Sequence, residues 1–317
     1  ELIDNNDPTE LLFTWGHHDL WHGAISRQRI NTLSSDHPII VWNRSFHELC
    51  MNDAALKFLD ISEEETRGME QIDYARGRFF EVGLGYALLK LNPYILAPDR
   101  LKDGLQKLAQ VVHFGGQTTV ADLAVGMFDF ETELASQKEV FENDDTPFRV
   151  ELVANALTLR RSRSLEEMEA FIADLPEKNS HRLRFGKRVK LFSDGAFFSQ
   201  LAQLMDPGYI DGHHGEWLTP PELLLENVRE YWNKGYEIHV HVTGDLGLEL
   251  ALDALETVQF ERPRFNHGFT LEHFGYSTPE QVHRAAKLGA NVSANVYYLH
   301  ELSDMYAQAS VGMERAS

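Results

Sequence analysis

The sequence has little cysteine and no long hydrophobic run, and both absences exclude classes of protein. Cys50 is the single cysteine in 317 residues, so the chain can form neither an internal disulfide nor a zinc site made of several thiolates. No stretch of about 18 uncharged apolar residues occurs, so we expect no membrane-spanning helix. Residues 1–6 carry neither a basic nor an apolar segment, so we expect no signal peptide there.

Positive charge is also scarce. Lys and Arg number 29 against 49 Asp and Glu, which gives a formal net charge of −20. This excess repels phosphate backbones and anionic lipid surfaces, so neither nucleic acid nor a membrane is an expected partner. A small-molecule substrate is expected instead, with a homodimer as the candidate oligomeric state. Acidity and a lone cysteine suit the cytoplasm.

From residue 99 onward, helical and β-rich patterns alternate. Such alternation is typical of an α/β protein in which a parallel sheet is joined by crossover helices. A doubly wound open sheet and a (β/α)8 barrel both fit, although no Gly-x-Gly-x-x-Gly follows the early strands, which weakens a dinucleotide-binding interpretation. The patterns predict helices over 99–113, 131–143, 164–174, 221–234, 246–258 and 278–288, and strands over 118–125, 148–157, 188–193, 237–242, 269–273 and 290–296.

The first 98 residues are organised differently. Residues 1–75 are polar and rich in histidine, and a Pro followed by apolar residues of high β propensity predicts one strand over 37–43. Residues 53–90 have helical spacing, which the prolines at 93 and 98 are expected to break. We therefore predict two parts, residues 1–98 and residues 99–317.

The first chemical candidate is a lysine inside an apolar strand. Lys190 has the same parity as Phe192 and Asp194, so the three side chains share one face. A charged amine is costly in such a place. Lys190 is therefore expected to have a lowered pKa, to pair with Asp194, or to extend its amine towards water.

The next candidates end the strand over 237–242. His239 and His241 lie two residues apart, so both point to one face, and this is a workable spacing for metal ligands. Two satisfied core histidines are the alternative. Asp245 follows a glycine at the strand end, where it could orient an imidazole or bind substrate.

A Glu-His pair ends the strand over 269–273. Glu272 and His273 should point to opposite faces, so only one is expected to face the centre. His273 is the better ligand candidate, although a structural histidine is the commoner case. These candidates fall on successive strands. An insertion over 196–220 separates the strand of Lys190 from the strand of His239 and His241. It forms either part of a substrate lid or a plain surface loop.

Three segments together resemble the metal-dependent amidohydrolase superfamily. They are Val-Lys-Leu-Phe-Ser-Asp-Gly-Ala (189–196), His-Val-Thr-Gly-Asp (241–245) and Leu-Glu-His (271–273). The pattern is most similar to the YtcJ-like branch, which includes N-substituted formamide deformylases. Residues 45–56 and 312–316 resemble further segments of that branch.

The resemblance implies a (β/α)8 barrel that holds one or two divalent metal ions, with zinc expected. Lys190, His241 and His273 match the family's metal ligands and are the expected catalytic residues, and the family's lysine is often carboxylated. Weaker candidates surround these ligands or the substrate. They are His239, Asp194, Asp245 and His47, and Trp15 is a further pocket candidate.

Two elements of the family pattern are not found in this sequence. No His-x-His occurs before residue 239, and residue 317 precedes the position of the family's strand-eight aspartate. The order of the segments fits barrel strands two to seven, with residues 1–98 as an insertion after strand one. We therefore expect a barrel that lacks its first and last strands in this chain.

The leading functional hypothesis is a metal-dependent hydrolase. A metal-activated water would attack the carbonyl of a small organic substrate and break an amide-type, non-peptide C–N bond. One alternative keeps the barrel and changes the substrate to an ester, a lactone or a deaminase substrate. Another is an inactive fragment without a complete metal site.

Overall fold

The structure is a computed structural model that describes residue 7 and residues 9–316. The expectation on a signal peptide in residues 1–6 therefore lies outside the described residues. Two β-sheets make up the described part, one before residue 81 and one after residue 118. No helix within these described ranges is long and apolar enough to cross a bilayer.

The first sheet has five strands in the order β1-β2-β3-β5-β4. Strands β1 and β2 are parallel, and the remaining pairs are antiparallel. Only β2 was predicted. Strands β3, β4 and β5 have two to four residues and β3 is buried at every position, so they do not show the alternation that identifies a strand. Strand β1 has six residues, but none of them is buried. The strands are β1 (Leu12–His17), β2 (Ile39–Asn43), β3 (Glu48–Met51), β4 (Ile72–Asp73) and β5 (Arg78–Phe80).

Five helices accompany this sheet, and a sixth, α6, follows them and packs its Val112 into the core of the second sheet. The fifth, α5, packs Leu84, Leu88 and Leu91 against the sheet residues Leu49 and Phe79. The predicted break at residue 93 is wrong, because that proline sits in the last turn of α5 and the helix ends only two residues later. The helices are α1 (Asp19–His22), α2 (Arg27–Asn31), α3 (Asp53–Phe58), α4 (Glu63–Thr66), α5 (Glu81–Ile95) and α6 (Pro98–Phe114).

The second sheet has six parallel strands that follow one another in chain order and curl into a half-barrel. A doubly wound sheet reverses its strand order at a switch point, so the unbroken order argues against that alternative. Closure into a (β/α)8 barrel stays a prediction. The strands are β6 (Thr119–Val125), β7 (Arg149–Asn155), β8 (Leu183–Phe192), β9 (Glu237–Val242), β10 (Thr270–His273) and β11 (Asn291–Ala294).

Helices alternate with these strands close to the predicted bounds. Capping boxes start two of them, at Ser164 and Thr278, and left-handed Gly289 ends the second of these two helices. Strand β8 begins five residues earlier than predicted, because its first half contains charged residues and a glycine that resemble a loop. The helices are α7 (Phe130–Phe141), α8 (Ala156–Leu159), α9 (Leu165–Asp174), α10 (Pro221–Asn233), α11 (Asp245–Glu261), α12 (Pro279–Leu288) and α13 (Ser303–Ala309), with 3-10 turns at Arg160–Ser162 and Leu175–Lys178 and a π-helix at Tyr298–Leu302.

The main core lies between the six-stranded sheet and its helices. Alternate residues of the strands, such as Leu191 and Val240, pack against the apolar sides of α10 and α11. Helix α11 contributes Leu255, which is fully buried, whereas Phe260 near its end is 89% exposed. The opposite parity of each strand is consequently free to carry polar residues into the interior of the curl.

This packing predicts a sharp difference between two substitutions in α11. We expect Leu255→Ala to lower the free energy of unfolding by about 2–5 kcal/mol, because it removes buried methyl groups and leaves a cavity. The matched control Phe260→Ala should change it by less than about 0.5 kcal/mol. Urea denaturation followed by circular dichroism measures both. Equal effects would contradict the docking of α11 on the sheet.

Candidate functional site

The register of strands β8, β9 and β10 brings the predicted residues together. Lys190 lies opposite His239, and Phe192 lies opposite His241, which in turn lies opposite Glu272. Residues paired in this way on parallel strands point to the same side of the sheet. The helices cover the other side, so these five side chains face the interior of the curl near its carboxyl edge.

Lys190 is buried and without a hydrogen-bond partner. Its Nζ atom lies 4.9 Å from the centre of the Phe192 ring, and no polar atom of the described residues bonds to it. Burial lowers the pKa of this amine to about 7. The predicted alternative of an ion pair with Asp194 is wrong, and so is a solvent-reaching amine. Lys190 is held as an amine that is neutral in a large fraction of molecules near pH 7.

Asp194 instead binds backbone N–H groups. It accepts hydrogen bonds from Thr243 at 3.0 Å, Gly244 at 2.7 Å and Gln203 at 2.9 Å. Burial raises the pKa of its carboxyl to about 7 in spite of these donors. Asp194 therefore ties the end of β8 to the end of β9 and to the 196–220 insertion, and it makes no contact with an imidazole.

Three imidazole rings form a cluster at this edge. The His241 ring centre lies 4.6 Å from that of His273 and 5.1 Å from that of His47. Burial lowers the pKa of His241 well below its usual value, and burial together with Lys190 lowers that of His273 to about 3. Both predicted ligands are therefore neutral at pH 7, which is the form that binds metal.

The expectation that only one of Glu272 and His273 faces the interior is wrong. Glu272 follows the strand register, whereas His273 and Phe274 adopt left-handed backbone angles, with φ of 70° and 50°. This turn departs from strand geometry and brings the His273 ring against His241. Strand parity alone cannot foresee it, because the alternation holds only while the backbone stays extended.

Glu272 fixes His239. Its Oε1 lies 2.6 Å from Nδ1 of His239. Although burial opposes ionisation, hydrogen bonds from His239 and Ser293 lower the pKa of the Glu272 carboxyl. Nδ1 of His239 is thus engaged by a carboxylate.

His47 is brought to the cluster by the first sheet, and its partner was not foreseen. Nδ1 of His47 lies 2.7 Å from Oε2 of Glu81, and the other oxygen of Glu81 accepts the backbone N–H of Ala196 at 3.1 Å. Glu81 is buried and has a φ of 45°, a conformation that is costly for a residue with a side chain. The sequence signal was faint, a glutamate directly after the three-residue strand β5.

A cavity of about 90 Å³ adjoins the cluster. His47 and Phe192 line it, as does Asn155, which ends β7 and is the register partner of Lys190. Sequence reasoning missed Asn155, although a polar residue at the carboxyl end of a strand is the signal that selected the other candidates. The remaining lining residues are Phe46, Glu81, Leu84, Gly85, Leu88, Leu89, Asn92, Met127, Leu157, Thr158, Arg161 and Leu218. Trp15 is not among them and stacks on Phe46, with ring centres 5.1 Å apart.

Asp245 contacts neither an imidazole nor this cavity. Its Oδ1 accepts the N–H of Met205 at 2.9 Å, and its Oδ2 forms an ion pair with Arg315. Arg315 also donates to the Met205 carbonyl at 2.6 Å. The expectation that Asp245 orients an imidazole is therefore wrong, and Asp245 holds the 196–220 insertion against the sheet edge.

The donor set for a metal is incomplete in the described residues. Across residue 7 and residues 9–316, no three side chains of His, Cys, Asp or Glu are grouped as a metal site. Two neutral imidazoles and a buried amine without a partner are present instead. These donors fit a divalent metal, because Lys190 has no other bonding partner to satisfy it and a carbamate formed on it would supply anionic oxygens.

Comparisons with known proteins show what this chain is similar to. The chain is similar to the putative amidohydrolase YtcJ of Bacillus subtilis (strain 168), with 24% identity over 277 residues, 83% of this chain and 48% of that protein. The chain thus spans about half the length of this curated relative.

Two solved structures share the fold. Both are described as uncharacterized metal-dependent hydrolases. The one from Pyrococcus horikoshii OT3 has a TM-score of 0.66 at 21% identity, over 96% of this chain and 58% of that chain. The one from Pyrococcus furiosus has a TM-score of 0.64 at 23% identity, over 98% of this chain and 60% of that chain.

A family-wide comparison covers nearly the whole chain. The sequence model of the Amidohydrolase family matches residues 14–317. The resemblance to metal-dependent amidohydrolases of the YtcJ-like branch, predicted from three short segments, is confirmed. The chain belongs to the amidohydrolase family.

Proposed function

We propose that the whole protein is a metal-dependent hydrolase that cleaves an amide-type, non-peptide C–N bond in a small organic substrate. Lys190, His241 and His273 are the proposed metal ligands and catalytic residues. One observation carries the proposal: the Lys190 amine is buried without a partner on the face that also presents two neutral imidazoles. A protein tolerates such a group where a ligand completes it.

The proposed ion is divalent, with zinc as the expected metal and one or two ions as the expected number. When bound, it would lower the pKa of a coordinated water and polarise a carbonyl oxygen. The chain contributes the conditions for this chemistry. Burial keeps the Lys190 amine neutral enough near pH 7 to bind metal or to add CO2, which forms an N–C bond and releases a proton as the carbamate appears.

His47 has a supporting role in this proposal. Its Nδ1 is held by the buried carboxylate of Glu81, which fixes the ring plane. The other ring nitrogen, Nε2, is left to interact with a substrate. The ring lines the cavity beside His241. His47 is therefore placed to orient a substrate carbonyl at the mouth of the metal site, while Phe192 and the leucines of α5 exclude water.

Esters, lactones and deaminase substrates remain the alternatives on this fold, and an inactive chain is the third. A panel of N-acyl amides, matched esters and aminopurines, assayed with the metal-loaded whole protein, separates them. The proposal expects the highest kcat/KM for an amide. Faster hydrolysis of the esters or release of ammonia from the aminopurines would favour the alternatives, and no turnover with no bound metal would indicate the inactive chain.

Metal content provides a direct prediction. Lys190→Ala should lose most of the bound divalent metal of the whole protein, because it removes the donor that has no other partner. The matched control is Lys187→Ala, on the same strand but exposed, which should retain the metal. Elemental analysis after dialysis measures both. Retention of metal in Lys190→Ala at the control level would contradict this ligand assignment.

Metal affinity should also depend on pH in a defined window. With a pKa of about 7, Lys190 is protonated below that pH and must lose its proton before it binds a metal, whereas His273, with a pKa of about 3, is already neutral there. Affinity for zinc should therefore rise by roughly tenfold per pH unit below pH 7 and level off above it. Competition titrations with a chelator between pH 6 and 8 measure this. A flat profile would exclude Lys190 as a ligand.

A further inference from the structure

Arg161 is the cationic side chain that lines the cavity together with His47. Among the described residues, no hydrogen bond, ion pair or aromatic contact involves its guanidinium. Its neighbours are engaged, since Arg160 donates to Asn227 at 3.0 Å and Arg163 donates to the Leu159 carbonyl at 3.2 Å. Arg161 alone in this segment directs its charge to the cavity that His47 also lines.

Helix α5 leaves room for this guanidinium. A Cβ atom added to Gly85 would lie 2.2 Å from Nη1 of Arg161 and 2.8 Å from its Cζ. A side chain at residue 85 would require the guanidinium to move, so glycine there lets the guanidinium rest against the helix at the rim of the cavity. The observed position of Arg161 thus depends on the absence of a Cβ atom at Gly85.

A second donor without a partner faces the same cavity. Oδ1 of Asn155 accepts the N–H groups of Leu157 at 3.1 Å and Thr158 at 3.3 Å, which fixes which end of the amide is oxygen. Its Nδ2 is buried and has no hydrogen-bond partner within residue 7 and residues 9–316. A buried donor left unpaired costs stability unless a ligand accepts its hydrogen bond.

Charge narrows the class of ligand. The molecule carries a formal net charge of −20, and the acidic residue that lines this cavity, Glu81, is occupied by His47. An anion would be repelled from most of this surface and needs a local cation to bind. The guanidinium of Arg161 and Nδ2 of Asn155 are hydrogen-bond donors that have no acceptor in the described part of the chain. They therefore match a ligand group whose polar atoms only accept hydrogen bonds.

We propose that the cavity binds the carboxylate of the substrate, with the guanidinium of Arg161 as its counter-ion and Nδ2 of Asn155 donating to a further substrate oxygen. The planar fork of an arginine matches the two oxygens of a carboxylate. The walls formed by Leu84, Leu88 and Met127 suit an apolar body between the anion and the scissile bond. This inference rests on the proposed function for the identity of that bond.

A matched pair of substrates tests the proposal on the metal-loaded whole protein. N-formylphenylalanine and N-formyl-2-phenylethylamine differ only in a carboxylate. We expect the carboxylate to raise kcat/KM, and Arg161→Gln to remove that advantage with a loss of about tenfold to a hundredfold. The same variant should leave the neutral amide within about twofold. Arg163→Gln, an equal change of charge away from the cavity, should alter neither substrate.

Asn155→Asp gives a second variant that folds for the same reason as the parent. It retains the oxygen that caps α8 and exchanges the unpaired donor for a carboxylate oxygen. It should therefore lower kcat/KM more for the anionic substrate than for the neutral one. Equal kcat/KM values for the two substrates in the parent protein, or equal losses for both in Arg161→Gln, would overturn the proposal.

Binding of inert probes separates this inference from the proposed function. Calorimetry with 3-phenylpropanoate and 3-phenylpropanamide should show that only the anion binds, and that Arg161→Gln abolishes its binding. This result would support the anion site even if no amide is hydrolysed. The lack of hydrolysis would then count against the proposed function alone. Absence of 3-phenylpropanoate binding, beside normal amide hydrolysis, would overturn the anion site alone.

Discussion

The parallel register of β8, β9 and β10 is the constraint on which the site depends. Each strand gives one parity to the helices and the other to the interior of the curl, so the positions of Lys190, His241 and Glu272 follow from a single alignment of backbone hydrogen bonds. A shift by one residue would exchange the faces and place apolar side chains at the site. The buried leucines and valines on the helix side oppose such a shift.

Within this frame, polar groups fall into two kinds. Asp194 and Asp245 have their oxygens occupied by backbone N–H groups or by Arg315, so they hold the insertion and the strand ends in place. Lys190 and Asn155 keep a buried donor without a partner. Groups with hydrogen-bond partners stabilise the edge of the sheet. The buried donors without partners lower the stability of the protein, and a bound metal or substrate would offset that loss.

Much of the second half of the chain could be predicted, because amphipathic helices and apolar strands have clear periods. The first sheet could be predicted only at β2, since β3, β4 and β5 have two to four residues, which is too few to show an alternation. The sequence also placed Lys190, His241 and His273 on successive strands, and the structure brings them together, but the ion pair of Lys190 with Asp194 that it offered as one alternative does not form. Spacing along the chain cannot predict that three backbone N–H groups, two from the residues that follow β9 and one from the insertion, hydrogen-bond to the Asp194 carboxylate instead.

The sequence by itself determined the family, the alternation of strands and helices after residue 99 and the residue types available for chemistry, because these follow from local pattern and short motifs. The tertiary structure alone decided which residues meet. The left-handed turn at His273, the contact of His47 with Glu81 and the room that Gly85 leaves for Arg161 join segments far apart in the chain or depart from regular geometry. Such contacts depend on how whole elements pack, and no local pattern encodes them.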